Sequence, residues 1–322
     1  MKKKTLLITH TDLDGISPII LLNLTGIKFE YKTVEITDLE TVWNELVEAG
    51  FDKYDQIYFT DLSLTQNMYD YINEHELNVK VFDHHETHLF ANVYPYVTVK
   101  VDIDGVPTCG TELFYLYLKK IYKDELNKKS LKQYVDYVRE LDTYKFTSDI
   151  PRQIDSLKST YGSKDFIKSF TRRLKNKEEF SFTSFEKRLT KVKAEELQRY
   201  LEKKEKKMVR YKIDGHDVGV VFAETNKSDL GNYLSKNNPD LEFIILIDAS
   251  SRISYRASRD DVNVSEFASI YGGGGHKLAS GSGFTDEDRD KIVSMYFKDV
   301  KRLKFKLTLK PIIRYNFLVG ME

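Results

Sequence analysis

The sequence predicts an α/β protein in three parts: an N-terminal doubly wound parallel sheet domain over residues 1–150, a charged helical connector over 151–210, and a smaller C-terminal α/β domain over 211–322. Three observations carry that expectation. From residue 3 to about residue 125, short apolar runs alternate with helix-spaced segments, the pattern of strands joined by helical crossovers. A chain of 322 residues exceeds one typical domain and suffices for two cores. Between them, KSFTRRLKNKEEF and SFEKRLTKVKAEELQRYLEKKEKKMV are proline-free, charged in both signs, and apolar at helical spacing.

The elements follow in order. TLLITH is the first strand, and Ser17-Pro18 has the form of an N-cap with proline at the first helical position, opening IILLNL. A second strand, FEYKTVEI, leads into TDLETVWNELVEAG, where Thr37 and Glu40 have capping-box spacing and Gly50 stands where a helix ends. QIYFTD is a third strand, followed by a helix around Gln66 to His75; VKVFD is a fourth, YVTVKV a fifth, and TELFYLYLKKIY a helix. SLKQYVDYVREL is a further helix that runs into LDTYKF. Past the connector, YKI, the turn Asp214-Gly215 and DVGVVFAE make a hairpin. A short helix SDLGNYLSKNN, strands LEFIILIDA and RISYRAS, and a helix VSEFASIY precede GGGGHKLASGSGF, and RLKFKLTLKPIIRYNF alternates like an edge strand.

With 50 basic and 50 acidic residues the chain is not a polycation, so affinity for nucleic acid would have to come from a local surface. A single cysteine, Cys109, excludes an intrachain disulfide and fits a reducing, cytoplasmic setting. The apolar run of MKKKTLLITH is too short for a signal-peptide core, and no run reaches the length of a membrane span.

Three of the strands end in acidic clusters. TLLITH delivers His10, Asp12 and Asp14 in HTDLDG; QIYFTD delivers Asp61; VKVFDHH delivers Asp83, His84 and His85. In a doubly wound sheet, ligands bind beyond the carboxyl ends of the strands, where all of these fall. Residues two apart on an extended segment share a face, so His10, Asp12 and Asp14 are expected to look into one site, with Gly15 letting the backbone turn away. Gathered carboxylates without cations repel one another, and two divalent ions would neutralise them and activate a phosphodiester. Mixed imidazole and carboxylate ligation, with several acids, favours Mn²⁺ over an all-thiolate or all-imidazole zinc site. HHETH does not fit the H-E-x-x-H register of a zinc protease. In the second half, GGGGHK is neither a P-loop nor a dinucleotide fingerprint. Its glycines (Gly273, Gly274 and Gly275 among them) expose backbone amides beside His276, and Arg256 upstream offers a guanidinium fork, which together suit a phosphate.

Taken together, HTDLDG, the lone Asp61, the Asp-His-His triplet and Asp142 in RELDTY resemble, in order, the four motifs of the DHH family of phosphoesterases, and SYRAS with GGGGHKLASG resembles its associated C-terminal domain. Within it the nearest likeness is to the nano-RNase and oligoribonuclease branch. The resemblance implies one Mn²⁺ on His10, Asp12 and Asp61 and a second on Asp14, Asp61, His84 and Asp142, with Asp61 bridging. It implies that Asp83 supports the site, that His85 touches the scissile phosphate or leaving group, and that Arg256, His276 and the glycine backbone seat the far end of the substrate. The implied substrates are short RNA or DNA oligonucleotides trimmed to mononucleotides. Cyclic or linear dinucleotides, 3′-phosphoadenosine 5′-phosphate, and single-stranded DNA cut as by the RecJ-type exonucleases are the alternatives. No membrane partner is implied, and a homodimer is left open.

Overall fold

The computed structural model describes residues 4–51, 53–176, 178–249 and 252–297. The chain divides into two compact units, residues 1–193 and 194–322. In order, the first holds β1 (Thr5–Thr9), α1 (Leu13–Thr25), β2 (Phe29–Thr33), α2 (Leu39–Ala49), β3 (Gln56–Thr60), α3 (Gln66–Glu74), β4 (Val79–Asp83), β5 (Val97–Val99), a small ribbon of β6 (Asp102–Ile103) and β7 (Val106–Pro107), α4 (Gly110–Ile121), α5 (Lys123–Leu126), α6 (Lys129–Asp142) and α7 (Ile150–Asn176). A further helix, α8 (Ser184–Glu205), contains the division.

Five strands pair in parallel in the order β2-β1-β3-β4-β5. Alternation along each strand splits the core into two layers. Leu7, Tyr58 and Phe82 pack on one face with residues of α1, α4, α6 and α7. Leu6, Ile8, Ile57, Phe59, Val79 and Val81 pack on the other with α2 and α3. The sheet is thus doubly wound, as expected. Its chain order reverses between β1 and β3, and that switch point is where such sheets open a crevice at their carboxyl edge.

Several local expectations change. Helix α1 starts four residues before Ser17, because Asp12 caps it by accepting the Gly15 amide at 2.8 Å. Pro18 therefore lies inside the helix, and the carbonyl it cannot reach, that of Asp14, accepts the Thr111 hydroxyl at 2.6 Å instead. Ser17 donates back to the Leu13 carbonyl at 2.6 Å and meets the Tyr134 hydroxyl at 2.7 Å. Thr37 and Glu40 form no capping box, since a 3₁₀ turn over Ile36–Asp38 precedes α2 and Asp38 takes the N-cap place. Gly50 does close α2 with a φ of 77°.

The first part of the connector expected over 151–210 contributes to the core. Ile154, Leu157, Phe166, Ile167, Phe170 and Leu174 of α7 are buried in the layer beneath α1. Its charges hid an apolar stripe, which α7 keeps although Gly162 breaks the helix with a φ of 73°. Thr183 and Glu186 form the capping box of α8, and Arg173 pairs with Glu186 under the rings of Phe170, Phe180 and Phe182.

The second unit contains β8 (Val209–Ile213), β9 (His216–Phe222), α9 (Lys227–Asn237), β10 (Phe243–Asp248), β11 (Arg252–Arg256), α10 (Val264–Ile270), β12 (Gly274–His276), β13 (Ala279–Gly283) and α11 (Asp286–Tyr296). Its sheet runs β12-β13-β11-β10-β9-β8, mixed, with only β9 and β10 parallel among these neighbours. Asp214 and Gly215 turn β8 into β9 with φ of 50° and 88°, the left-handed pair a tight hairpin needs. The edge strand expected in RLKFKLTLKPIIRYNF lies outside the described residues. Among the described residues no helix is long and apolar enough to cross a membrane.

Candidate metal centre

Most candidate ligands of the first unit follow a strand at the carboxyl edge of the parallel sheet. His10 follows β1, Asp61 follows β3, and Asp83 closes β4 with His84 and His85 beyond it. Asp142 is the last residue of α6. Asp12 and Asp14 arrive by another route than the extended one expected. Asp12 is the N-cap of α1 and Asp14 lies in its first turn, so helix geometry sets their directions. Gly15 likewise makes no turn. It lies in the helix against β1's exit, where a Cβ would come within 2.2 Å of the His10 carbonyl oxygen.

Three groups of donors gather there: His10, Asp12 and Asp61; Asp14, His84 and Asp142; and Asp61, Asp83, His84 and His85. Nδ1 of His10 lies 3.2 Å from Asp12 Oδ2 and 3.5 Å from Asp61 Oδ2. Nε2 of His84 lies 3.4 Å from Asp61 Oδ1, 3.4 Å from Asp142 Oδ2 and 4.0 Å from Asp14 Oδ2. Asp61 thus presents one carboxylate oxygen to each imidazole. Its backbone is left-handed, with φ 54°, a conformation aspartate tolerates better than most residues, and its amide is tied to the Phe82 carbonyl at 2.9 Å.

The electrostatics of the cluster call for positive charge. Burial, then the neighbouring Asp14 and Asp12, push the Asp61 carboxyl up to about 6. Burial and Asp14 likewise push Asp142 well above the usual carboxylate range. The facing carboxylates of Asp12 and then Asp61 raise His10 to about 10, although burial opposes the charge. Burial works against a charge on His84, yet Asp61, Asp142 and Asp14 outweigh it and raise that ring to about 10 as well. Asp61 Oδ2 and Asp142 Oδ2 are buried and accept no hydrogen bond. Buried carboxylate oxygens left open, beside imidazole nitrogens at 3.4–3.5 Å, are what donors sharing one ion at about 2.1 Å look like. The donor set fits a divalent metal.

Asp83 behaves differently. Burial would raise it, but Oδ1 accepts from the His85 ring at 2.7 Å and the His84 amide at 2.8 Å, and Oδ2 accepts from Ser63 at 2.7 Å; the bond and charge of His85, then the Ser63 bond and the charge of His84, hold it down at about 2. Fixed as an anion, it orients the His85 ring by Nδ1 and raises that imidazole's pKa although burial opposes the charge.

No family model matches the sequence. The oligoribonuclease NrnB of Bacillus subtilis strain 168 is 32% identical over 304 residues, covering 91% of this chain and 76% of that protein. The chain belongs to the DHH phosphoesterase family. Two solved structures share its fold: a pGpG-specific phosphodiesterase from Vibrio cholerae, with TM-score 0.53 and 15% identity over 91% of this chain and 97% of that one, and the DHH domain of a member of a ribosomal-protein family, with TM-score 0.54 and 13% identity over 91% and 85%.

This DHH phosphoesterase adds residues that the motifs did not single out. Both oxygens of Asp14 accept amides at the start of α4, Gly110 N at 2.7 Å and Thr111 N at 2.8 Å. The helix N-terminus thus stabilises a buried anion. A Cβ on Gly110 would lie 3.0 Å from Asp14 Oδ2 and from the Cβ and amide of Asp61. The other nitrogen of His10 lies 3.5 Å from Glu35, which also accepts the Thr11 hydroxyl. Only the parallel register of β1 with β2 reveals Glu35. Cys109 is buried at the N-cap of α4, and burial pushes its thiol far up.

Of the second unit's candidates, Arg256 ends β11 and donates to the carbonyls of Tyr255 at 2.9 Å and Ser280 at 3.2 Å. Gly274, Gly275 and the exposed His276 form β12, paired with β13, rather than a loose loop. Gly275 has φ 139°, and a Cβ on Gly273 would lie 2.1 Å from the Gly281 carbonyl oxygen. Those two glycines have a backbone reason to be glycine.

Proposed function

We propose that this DHH phosphoesterase is an Mn²⁺-dependent phosphodiesterase that hydrolyses short oligonucleotides to mononucleotides, with two ions per chain. The observation that supports it most is the split carboxylate of Asp61, one oxygen toward His10 and the other toward His84. In this reading His10, Asp12 and Asp61 hold one ion, and Asp14, Asp61, His84 and Asp142 hold the other. When bound, the ions supply charge neutralisation and a nucleophile at neutral pH. The chain's own part is to place the phosphodiester. His85, oriented by Asp83, donates a proton or a hydrogen bond to the scissile phosphate or its leaving oxygen. Asp83 takes no proton in exchange, since its hydrogen-bond donors stabilise the anion. Arg256, His276 and the amides of Gly274 and Gly275 take the terminal phosphate of the substrate, whereas the Gly273 amide is engaged by the Ala268 carbonyl at 2.9 Å. The substrate class follows that of the oligoribonuclease NrnB, and the single buried Cys109 supports a cytoplasmic setting.

The test is a product ladder with end-labelled RNA and DNA from dimers to long strands, alongside cyclic dinucleotides and 3′-phosphoadenosine 5′-phosphate, in Mn²⁺, Mg²⁺ and Zn²⁺. The expected result is fastest release of mononucleotides from the shortest oligomers in Mn²⁺. Preference for long single strands, or release of inorganic phosphate alone, overturns the substrate assignment.

A further inference from the structure

The end of α6 carries a feature that neither metal binding nor the core explains. Tyr144 follows the candidate ligand Asp142 by two residues and has a left-handed backbone, φ 56°. The Tyr144 amide bonds the Leu141 carbonyl at 3.2 Å and the Lys145 amide bonds the Glu140 carbonyl at 3.1 Å. That is a Schellman closure, whose left-handed position glycine fills most easily. Among the described residues, the other non-glycines at positive φ are Asp61, Glu76, Asp104, Asp214 and Asn226. Tyr144 is the only aromatic among them. The loop is held in place, because the Glu140 carboxylate accepts the Thr147 amide at 2.9 Å and the Thr147 hydroxyl at 2.7 Å. It also presents its ring, 40% exposed. Phe146 stands edge-on to it, with centroids 5.3 Å apart and planes at 73°, and the Arg152 guanidinium lies 4.1 Å above the Phe146 ring.

We propose that Tyr144, with Phe146 and Arg152, is a base-stacking platform for the nucleotide whose phosphodiester lies at the metal centre. An exposed tyrosine ring against a half-buried phenylalanine that is itself backed by an arginine is chemistry that holds single-stranded bases without reading their sequence. The position suits it, since trans-linked Cα atoms are about 3.8 Å apart and the Cα of Tyr144 therefore lies within about 8 Å of that of the candidate ligand Asp142. A nucleobase in a dinucleotide sits at a comparable distance from its phosphate. Tyrosine in a position that favours glycine gives up fold stability, and a stacking surface is what that residue gains over glycine.

The inference rests on the nucleotide reading above, and its test separates the two. Calorimetric titration of the full chain, loaded with Mn²⁺, compares adenosine 5′-monophosphate with ribose 5-phosphate, which lacks the base. Tyr144→Gly is expected to weaken adenosine monophosphate binding about tenfold, or about 1.4 kcal/mol, while ribose 5-phosphate binding holds. Its Tm should equal or exceed that of the parent, and Tyr144→Phe should keep the parent's affinity. Unchanged nucleotide affinity in Tyr144→Gly overturns the platform, as does an equal loss for both probes. If the parent cleaves no oligonucleotide while nucleotide binding still depends on Tyr144, the platform stands and the substrate assignment falls.

Discussion

The two units differ in one place in how they handle buried charge. In the second, Asp248 meets Lys227 at 2.7 Å and Glu242 meets His216 at 2.7 Å, and the first has such pairs too, as Arg173 with Glu186. The first gathers Asp12, Asp14, Asp61 and Asp142 around two imidazoles at the carboxyl edge of its sheet and leaves two carboxylate oxygens without a hydrogen bond. Paired ions serve folding. A concentrated excess of one sign costs folding free energy and is retained where a bound cation offsets it. The difference locates the chemistry in the first unit and makes that unit's stability depend on what it binds.

Removing the shared carboxylate should break the contrast most. Asp61→Asn keeps shape but withdraws the charge that both donor groups use, and we expect initial rates at saturating Mn²⁺ to fall a thousandfold or more, roughly 4 kcal/mol in the barrier. The variant should stay folded, because one repelling carboxylate is gone. Retention of more than about a tenth of the rate places the bridge elsewhere.

Metal should stabilise the two units unequally. Trp43, the single tryptophan, is buried in the first unit's core, so its fluorescence reports that unit alone. Against EDTA, Mn²⁺ at a hundred times its Kd should add about 2.7 kcal/mol to the unfolding seen by Trp43. An unshifted Trp43 transition would count against the site.

In the metal-free protein, pH should act in one direction. His10 and His84 are raised to about 10, so their contribution is full below about 6.5 and is lost as pH climbs through 10. Asp61, raised to about 6, favours the fold below its unfolded value near 4 and loses that contribution as pH rises through 6. The Trp43 midpoint in EDTA should therefore fall steadily from pH 6 to pH 10, and saturating Mn²⁺ should flatten the slope. A midpoint that rises with pH in EDTA contradicts these assignments.

A smaller effect is expected at Gly110. An added Cβ there meets Asp14 and Asp61 at 3.0 Å, so Gly110→Ala should move two donors by a few tenths of an ångström. We expect about a tenfold loss of rate with a modest loss of stability, since misplacement of catalytic groups costs rate steeply. Wild-type kinetics in this variant would show that the α4 N-terminus does not set the site.

Strand ends were legible in the sequence because apolar runs stop abruptly at His10, Asp61 and Asp83. Those stops fix which residues share the carboxyl edge once the sheet is parallel. The route taken by Asp12 and Asp14 was not legible. Proline at position 18 signalled a helix start, and only a hydroxyl from Thr111, about a hundred residues away, makes an interior proline tolerable. The buried face of α7 was hidden for a related reason: its charges dominate composition, whereas burial is decided by the six apolar side chains between them. Glu35 and Gly110 belong to no motif, and their roles appear only through strand register and a backbone approach.

The smallest and sharpest comparison lies within the glycine run. Gly273 and Gly274 are neighbours of one type, yet a Cβ on Gly273 would meet the Gly281 oxygen at 2.1 Å, and a Cβ on Gly274 would meet nothing within 4 Å. If the run served only the packing of β12 on β13, Gly273→Ala would lower the second unit's stability and Gly274→Ala would change nothing measurable. If the run also lets a phosphate approach the backbone amides, Gly274→Ala should keep the parent Tm but raise KM for a dinucleotide a few-fold, because the new methyl group occupies the space the substrate needs. Circular dichroism melts of both variants, set beside their KM values, decide between these. An unchanged KM in Gly274→Ala would assign the glycines to the hairpin alone and leave Arg256 and His276 as the anion-binding candidates of this unit.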